Sequence, residues 1–302
     1  MTRRIVRLLL GAAGLLGVYA WWGEPSRLHL TRHVVSDPDR PLDGPLRALL
    51  LTDWHLGRWS SPRRLRAKME RLRRLHRKEP FDVVLLGGDY VDTEARYLPR
   101  LVPALDTLSR FGIPVLAVLG NHDYTSFGGD TAPVVAFLES HGVRVLCGAA
   151  QTVTAGRQRV LVVGLDDLQE SPAYFQPHLY QSPAQYKQAA ERMDWYARLD
   201  GQEPGLSRIL LAHNPDAVYL PGRAPLAVLA GHTHGGQIML LDWLSRPLHR
   251  WIHPHLPPGS AVTWAGRRVV NGRTLIVSRG IEGSALPLRL LRPPEAVVVT
   301  FR

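Results

Sequence analysis

Short apolar runs alternate with helix-length stretches along this chain, and that alternation restricts its fold more than any other feature. The runs Arg47 to Thr52, Asp82 to Gly87, Val115 to Leu119, Val143 to Leu146 and Arg159 to Gly164 are too short for core helices and read as buried strands. So do Arg208 to Ala212, Leu226 to Ala230, Thr274 to Ser278 and Ala296 to Phe301. Helical spacing of apolar residues predicts helices over 62–78, 97–110, 131–141 and 184–199. Together these predict an α/β domain with a largely covered sheet. With 302 residues the chain can bury one large core and leaves little for a second domain.

The first residues stand apart. Arg3, Arg4 and Arg7 precede an uncharged apolar run from Leu8 to Trp22, so 1–22 reads as a signal anchor or a signal peptide. Both remain open: Trp21 and Trp22 fall where an interfacial aromatic belt would lie, whereas Val18-Tyr19-Ala20 is a passable cleavage site. The positive-inside rule places the N-terminus in the cytoplasm and the body, attached to the cell membrane, on the extracytoplasmic side. Residues 23–46, rich in Pro, Asp and Arg, read as a linker, and 47–302 as the catalytic domain. One cysteine, Cys147, excludes an internal disulfide framework, and its apolar surroundings predict an inert thiol. A formal charge of +11 favours anionic partners: phosphate esters, lipid head groups or nucleic acid.

Five short motifs each follow a strand-like run: Asp53-Trp54-His55, Gly88-Asp89-Tyr90-Val91-Asp92, Gly120-Asn121-His122-Asp123, His213-Asn214 and Gly231-His232-Thr233-His234. Ligands collect at the carboxyl ends of strands in open α/β sheets, because the loops there converge on one crevice. The motifs supply carboxylate, imidazole and amide groups without thiolate, a donor set suited to Mn, Fe or Zn.

In this order the motifs resemble the calcineurin-like metallophosphoesterases, over residues 47–301. The runs Ala212 to Asp216, Gly231 to Gln237, Ser278 to Gly283 and Arg292 to Glu295 are similar to the branch of small, membrane-linked bacterial phosphodiesterases. The resemblance implies a four-layer αββα sandwich and a dinuclear centre of two divalent metal ions. It assigns Asp53, His55 and His234 to one metal, Asn121, His213 and His232 to the other, and Asp89 as the bridge, one cation on each of its two oxygens. The metal pair would lower the pKa of a bridging water, which attacks phosphorus in line with the leaving group. His122 would stabilise the phosphoryl oxygens or protonate the leaving group, with Asp92 orienting its ring. Asp123 reads as a loop-fixing residue. Thr93 stands where protein Ser/Thr phosphatases carry Arg-Gly after the second aspartate, which weighs against a phosphoprotein substrate.

The expected function is therefore hydrolysis of a phosphodiester or pyrophosphate, with a lipid-linked substrate such as UDP-2,3-diacylglucosamine among the candidates. A metal-dependent nuclease and a membrane-attached phosphate-binding protein without turnover stay open beside it. Residues 62–78 contain nine Lys or Arg around a stripe of Leu65, Met69, Leu72 and Leu75, predicting a basic helix that can face anionic lipid. The Trp- and Pro-rich stretch 240–258 is a candidate lip to the site, and 169–203 a candidate lid.

Overall fold

The computed structural model describes residues 2–36, 42–167, 205–220, 225–238 and 265–302. The expected helix at 184–199, the candidate lid and the candidate lip at 240–258 lie outside the described residues. Every run predicted as a strand forms one. The first sheet contains β1 (His29–Val35), β2 (Leu46–Leu51), β3 (Val83–Leu86), β4 (Val115–Ala117), β5 (Arg144–Val145) and β12 (Glu295–Phe301), in the order β1-β12-β2-β3-β4-β5. The second contains β6 (Ala149–Ala155), β7 (Gln158–Gly164), β8 (Ser207–Leu211), β9 (Ala227–Ala230), β10 (Gly266–Val270) and β11 (Arg273–Val277), in the order β10-β11-β9-β8-β7-β6. β2 to β5 run parallel, as do β11, β9, β8 and β7. All the motif loops follow these parallel strands.

Strand side chains alternate between faces, so a strand buried on both sides must be apolar throughout. In β2, Ala48 and Leu50 enter the cluster between the two sheets, with Val162 and Leu229 among their opposite numbers. Leu49 and Leu51 face outward instead, into the cluster beneath the helices. Those helices are α2 (Pro62–Lys78), α3 (Val102–Ser109) and α5 (Ala132–Ser140); a short α4 (Asn121–Thr125) lies at the site. α2 buries Leu65, Met69, Leu72 and Leu75 at helical spacing, begins with Ser61 as its cap and Pro62 in the first turn, and ends in His76, Arg77 and Lys78, which suit the negative end of the helix dipole. The expected helix over 97–110 is divided. Pro99, which lacks an N–H, sits in a 3-10 turn at Ala95–Leu101, and the α-helix starts at Val102.

One expectation changes here. Part of the segment read as linker, 23–46, is β1, paired in parallel register with β12 from His29↔Glu295 to Val35↔Phe301. It shows no sustained apolar run because β1 is an edge strand whose residues are largely exposed or half-buried.

The first helix, α1 (Thr2–Val18), leaves Leu8, Leu9, Leu10, Leu15 and Leu16 exposed, and Arg3–Ser26 is long and apolar enough to cross a membrane. Its C-terminal end is tied into the body. Arg289 N–H donates to Ala20 O at 3.0 Å, Arg64 Nη1 to Trp21 O at 3.2 Å, and Trp21 packs edge-on against Trp59 at 5.6 Å between ring centroids.

Candidate metal centre

Three motif loops leave the first sheet, after β2, β3 and β4, and two leave the second, after β8 and β9. They meet where the sheets face each other. Ligand atoms of Asp53, His55, Asp89 and His234 lie within 4.8 Å of one another, all four residues buried. Asn121 Oδ1 and His213 Nε2 approach His232 Nδ1 at 3.1 and 3.2 Å. All seven residues predicted as ligands thus gather in one place, and Asp89 joins the two groups.

Hydrogen bonds fix which ring nitrogens are free. His213 Nδ1 donates to Gly87 O at 2.7 Å, which leaves the Nε2 lone pair facing Asp89 Oδ2 at 3.1 Å. His55 Nδ1 donates to Asp92 Oδ1 at 3.1 Å, leaving the buried Nε2 3.2 Å from the same Asp89 oxygen. His234 Nδ1 is likewise buried without a hydrogen bond. Lone pairs aimed at a buried carboxylate repel unless a proton or a cation stands between them. The donor set therefore fits divalent metal, with outer hydrogen bonds holding each ring in its ligating tautomer. Without metal, protons take that place. Burial opposes the imidazolium of His213, but the charge and hydrogen bond of Asp89 outweigh it and raise its pKa to about 10. His55 is raised to about 9, as its bonds to Asp89 and Asp92 overcome burial, whereas burial and the charge of His213 hold His232 down to about 3.

The carboxylates of Asp89 and Asp92 each serve more than one partner. One oxygen of Asp89, Oδ2, faces both histidines, while Oδ1 accepts from His122 N at 2.9 Å. The Asp92 carboxylate orients His55 and is held in turn by Ala285 N at 3.0 Å, while Asp92 meets the His122 ring through its backbone. The His122 ring uses Nδ1 to reach the backbone carbonyl of Asp92 and packs edge-on against His55 at 4.6 Å. Its Nε2 has no hydrogen bond among the described residues.

Five of the seven residues lie in the left-handed region: Asp53 (φ 53°), His55 (38°), Asp89 (57°), His232 (71°) and His234 (52°). Such backbone costs on the order of 1–3 kcal/mol per residue and persists only where the surroundings impose it. Close packing imposes it here: a Cβ on Gly231 would come within 2.5 Å of Asp53 Oδ2. Asp123 fixes the loops, as expected, accepting from Asp89 N and Tyr90 N at 2.8 Å and from Gly120 N at 2.9 Å. Asp123→Asn replaces one acceptor oxygen by a donor facing N–H groups, and should lower unfolding stability by about 2 kcal/mol in a denaturant titration. Unchanged stability would remove that role.

A cleft of about 310 Å³ adjoins the cluster, lined by His55 and Asp92 together with Arg58, Trp59, Glu94 and Leu286. No motif marks Arg58 or Trp59 in the sequence. Reading alone also missed Lys68. It belongs to the basic stripe of α2, yet it is buried and donates to Ile281 O and Glu282 Oε1, each at 2.6 Å. Buried Arg289 was missed as well; it donates to the backbone carbonyls of His234, Arg279, Glu282 and Arg292. Cys147 is half-buried, and burial together with Asp166 pushes its thiol pKa upward, so it is no nucleophile.

The calcineurin-like phosphoesterase family model matches residues 46–236, which span the loops just described. The chain is a calcineurin-like phosphoesterase. As such, the phosphoesterase hydrolyses phosphoester bonds, and its buried Asp/His cluster marks a divalent metal centre. It is 28% identical over 300 residues to the uncharacterized metallophosphoesterase YkuE of Bacillus subtilis, covering 97% of this chain and 92% of that one. It is 27% identical to the phosphodiesterase YaeI of Escherichia coli, over 93% of this chain and 91% of that one. A transmembrane protein with metallophosphoesterase domain from Bos taurus is 33% identical over 67% of this chain and 43% of its own length.

Proposed function

We propose that this phosphoesterase is a phosphodiesterase or pyrophosphatase with two divalent cations, acting beside a membrane on an anionic substrate, a lipid-linked one such as UDP-2,3-diacylglucosamine being a candidate. The observation that carries the reading is Asp89 Oδ2, set 3.2 Å from His55 Nε2 and 3.1 Å from His213 Nε2, as a carboxylate shared between two sites must be. Asp53, His55 and His234 would hold one cation and Asn121, His213 and His232 the other, drawn from Mn, Fe or Zn. Bound divalent cations supply charge neutralisation of the phosphoryl group and a more acidic water.

The protein groups do the rest. A water oxygen bonds to phosphorus and releases its proton to solvent, while the bond from phosphorus to the leaving oxygen breaks and that oxygen takes a proton. His122, when both ring nitrogens carry a proton, is placed to provide it from Nε2, since Nδ1 donates to the Asp92 carbonyl. Asp92 keeps the tautomer of His55, and Arg58 in the adjoining cleft offers a cation to the substrate's second anionic group. The exposed apolar α1, with Arg3, Arg4 and Arg7 in its first two turns and followed by Trp21 and Trp22, supports membrane attachment with the body outside the cytoplasm. The bonds from Arg289 and Arg64 to Ala20 and Trp21 favour a retained anchor over a peptide cleaved after Ala20.

The test is hydrolysis by the full chain in detergent with Mn, on an aryl phosphodiester, an aryl monoester, a nucleotide-sugar lipid and single-stranded DNA. His122→Ala should lower kcat about 10²- to 10⁴-fold with metal content by elemental analysis unchanged. Full activity in that variant would remove His122 from the chemistry. DNA as the preferred substrate would turn the reading toward a nuclease.

A further inference from the structure

A second cavity, of about 620 Å³, lies apart from the metal centre, where α1 gives way to the body. Tyr19, Glu24 and Arg27 form its wall on the side of the apolar helix, and Arg71 of α2 and Leu291 close it from the body. Its volume is that of a small-molecule site rather than a packing defect. The charges in it are arranged unevenly. Arg71 is exposed and its side chain makes no hydrogen bond or ion pair among the described residues, and the exposed guanidinium of Arg27 donates among them only to Tyr19 Oη, at 3.2 Å. Lys68, which also lines the cavity, is committed to Glu282 and Ile281.

Glu24 is the feature that points to a ligand. It is 3% exposed, lines the cavity, and its Oε2 has no hydrogen-bond partner. An acidic side chain without a partner in a buried position costs several kcal/mol unless a donor reaches it. Two cations and one acid around a single cavity call for a ligand carrying a phosphate and a protonated amine together. The cavity's position selects the source. It begins at Tyr19, the residue after α1 ends, and so lies at head-group depth if α1 is embedded.

We propose that this cavity binds the head group of an aminophospholipid such as phosphatidylethanolamine, with the phosphate between Arg27 and Arg71 and the ammonium on Glu24. The proposal rests on the membrane attachment argued above and is independent of the hydrolytic chemistry. Bound lipid would complete the hydrogen bonding of Glu24 and brace the junction between anchor and body.

Native mass spectrometry of the full chain, exchanged into nanodiscs of phosphatidylethanolamine, phosphatidylcholine or phosphatidylglycerol, tests it. One retained phosphatidylethanolamine is expected, favoured roughly tenfold over phosphatidylcholine, whose quaternary nitrogen has no N–H to donate. Glu24→Gln, nearly isosteric and checked for folding by circular dichroism, should erase that preference. Arg71→Ala should weaken retention of both lipids about equally. Equal retention of all three lipids by the wild type, or a preference that survives Glu24→Gln, overturns the proposal. Soluble phosphoethanolamine binding as tightly as the lipid overturns the lipid assignment. A chain that floats with liposomes yet shows no head-group preference sinks this inference alone, whereas a full chain that fails to float sinks the membrane reading and this inference with it.

Discussion

Asp89→Asn is expected to cut hydrolysis of every phosphoester substrate by at least roughly 10³-fold, and to lower the metal content of the purified protein with it. The substitution keeps the shape of the side chain and removes its charge. Oδ1 accepts from His122 N, so the amide oxygen settles there and the NH₂ group turns toward the position of Oδ2. That position faces His55 Nε2 and His213 Nε2, and a neutral donor there cannot be shared by two cations. Elemental analysis and initial rates on an aryl phosphodiester provide the measurement. A folded Asn variant with normal rates and full metal would refute the shared-carboxylate centre.

Lys68→Met should destabilise the protein by about 3–5 kcal/mol, because it leaves Glu282 buried beside a methionine with no positive charge. Burial pulls the pKa of Lys68 down while Glu282 raises it again, the pattern of an ammonium kept in the interior by its partner. Lys68 and Glu282 are 1% and 3% exposed, so solvent screens the pair little. The loss should also reach the metal centre. Glu282 N–H donates to the Asp53 carbonyl at 3.0 Å, and Arg289 joins the Glu282 carbonyl to that of His234. Thermal melts should show the single variant well below wild type, and Lys68→Met combined with Glu282→Leu regaining most of the difference. If the single variant melts as the wild type does, the pair is not structural.

Central strands, site loops and the short edge strand β5 were legible in the sequence, and the other three edges were not. β2, β3, β8 and β9 carry apolar runs buried on both faces, at 48–51, 83–86, 209–211 and 227–230. β1, β6 and β10, with sequences HLTRHVV, AAQTVTA and GRRVV, are the strands missed, and all three are sheet edges with residues open to solvent. Edge-strand residues open to solvent need not be apolar. The site was readable because each candidate ligand sits in a compact motif behind a strand, with its neighbours constrained too. The partner of His55 was not, since Asp92 reaches it across a separation of 37 residues and only coordinates distinguish it from the nearby His122. Lys68 was hidden for a related reason: nine basic residues in α2 look alike in sequence, and only Glu282, 214 positions away, singles one out.

The pairing of β1 with β12 sets an order on how this polypeptide can assemble as it is translated. Once the apolar segment and β1 have left the ribosome, about 260 further residues must emerge before Glu295–Phe301 can slot between β1 and β2. Until then β1 has no strand beside it in the sheet, and the residue after it is separated from β2 by a gap one strand wide. The final insertion joins the segment that follows the apolar helix to the rest of the body in one step, so a nascent chain stalled short of residue 295 would expose two adhesive strand edges.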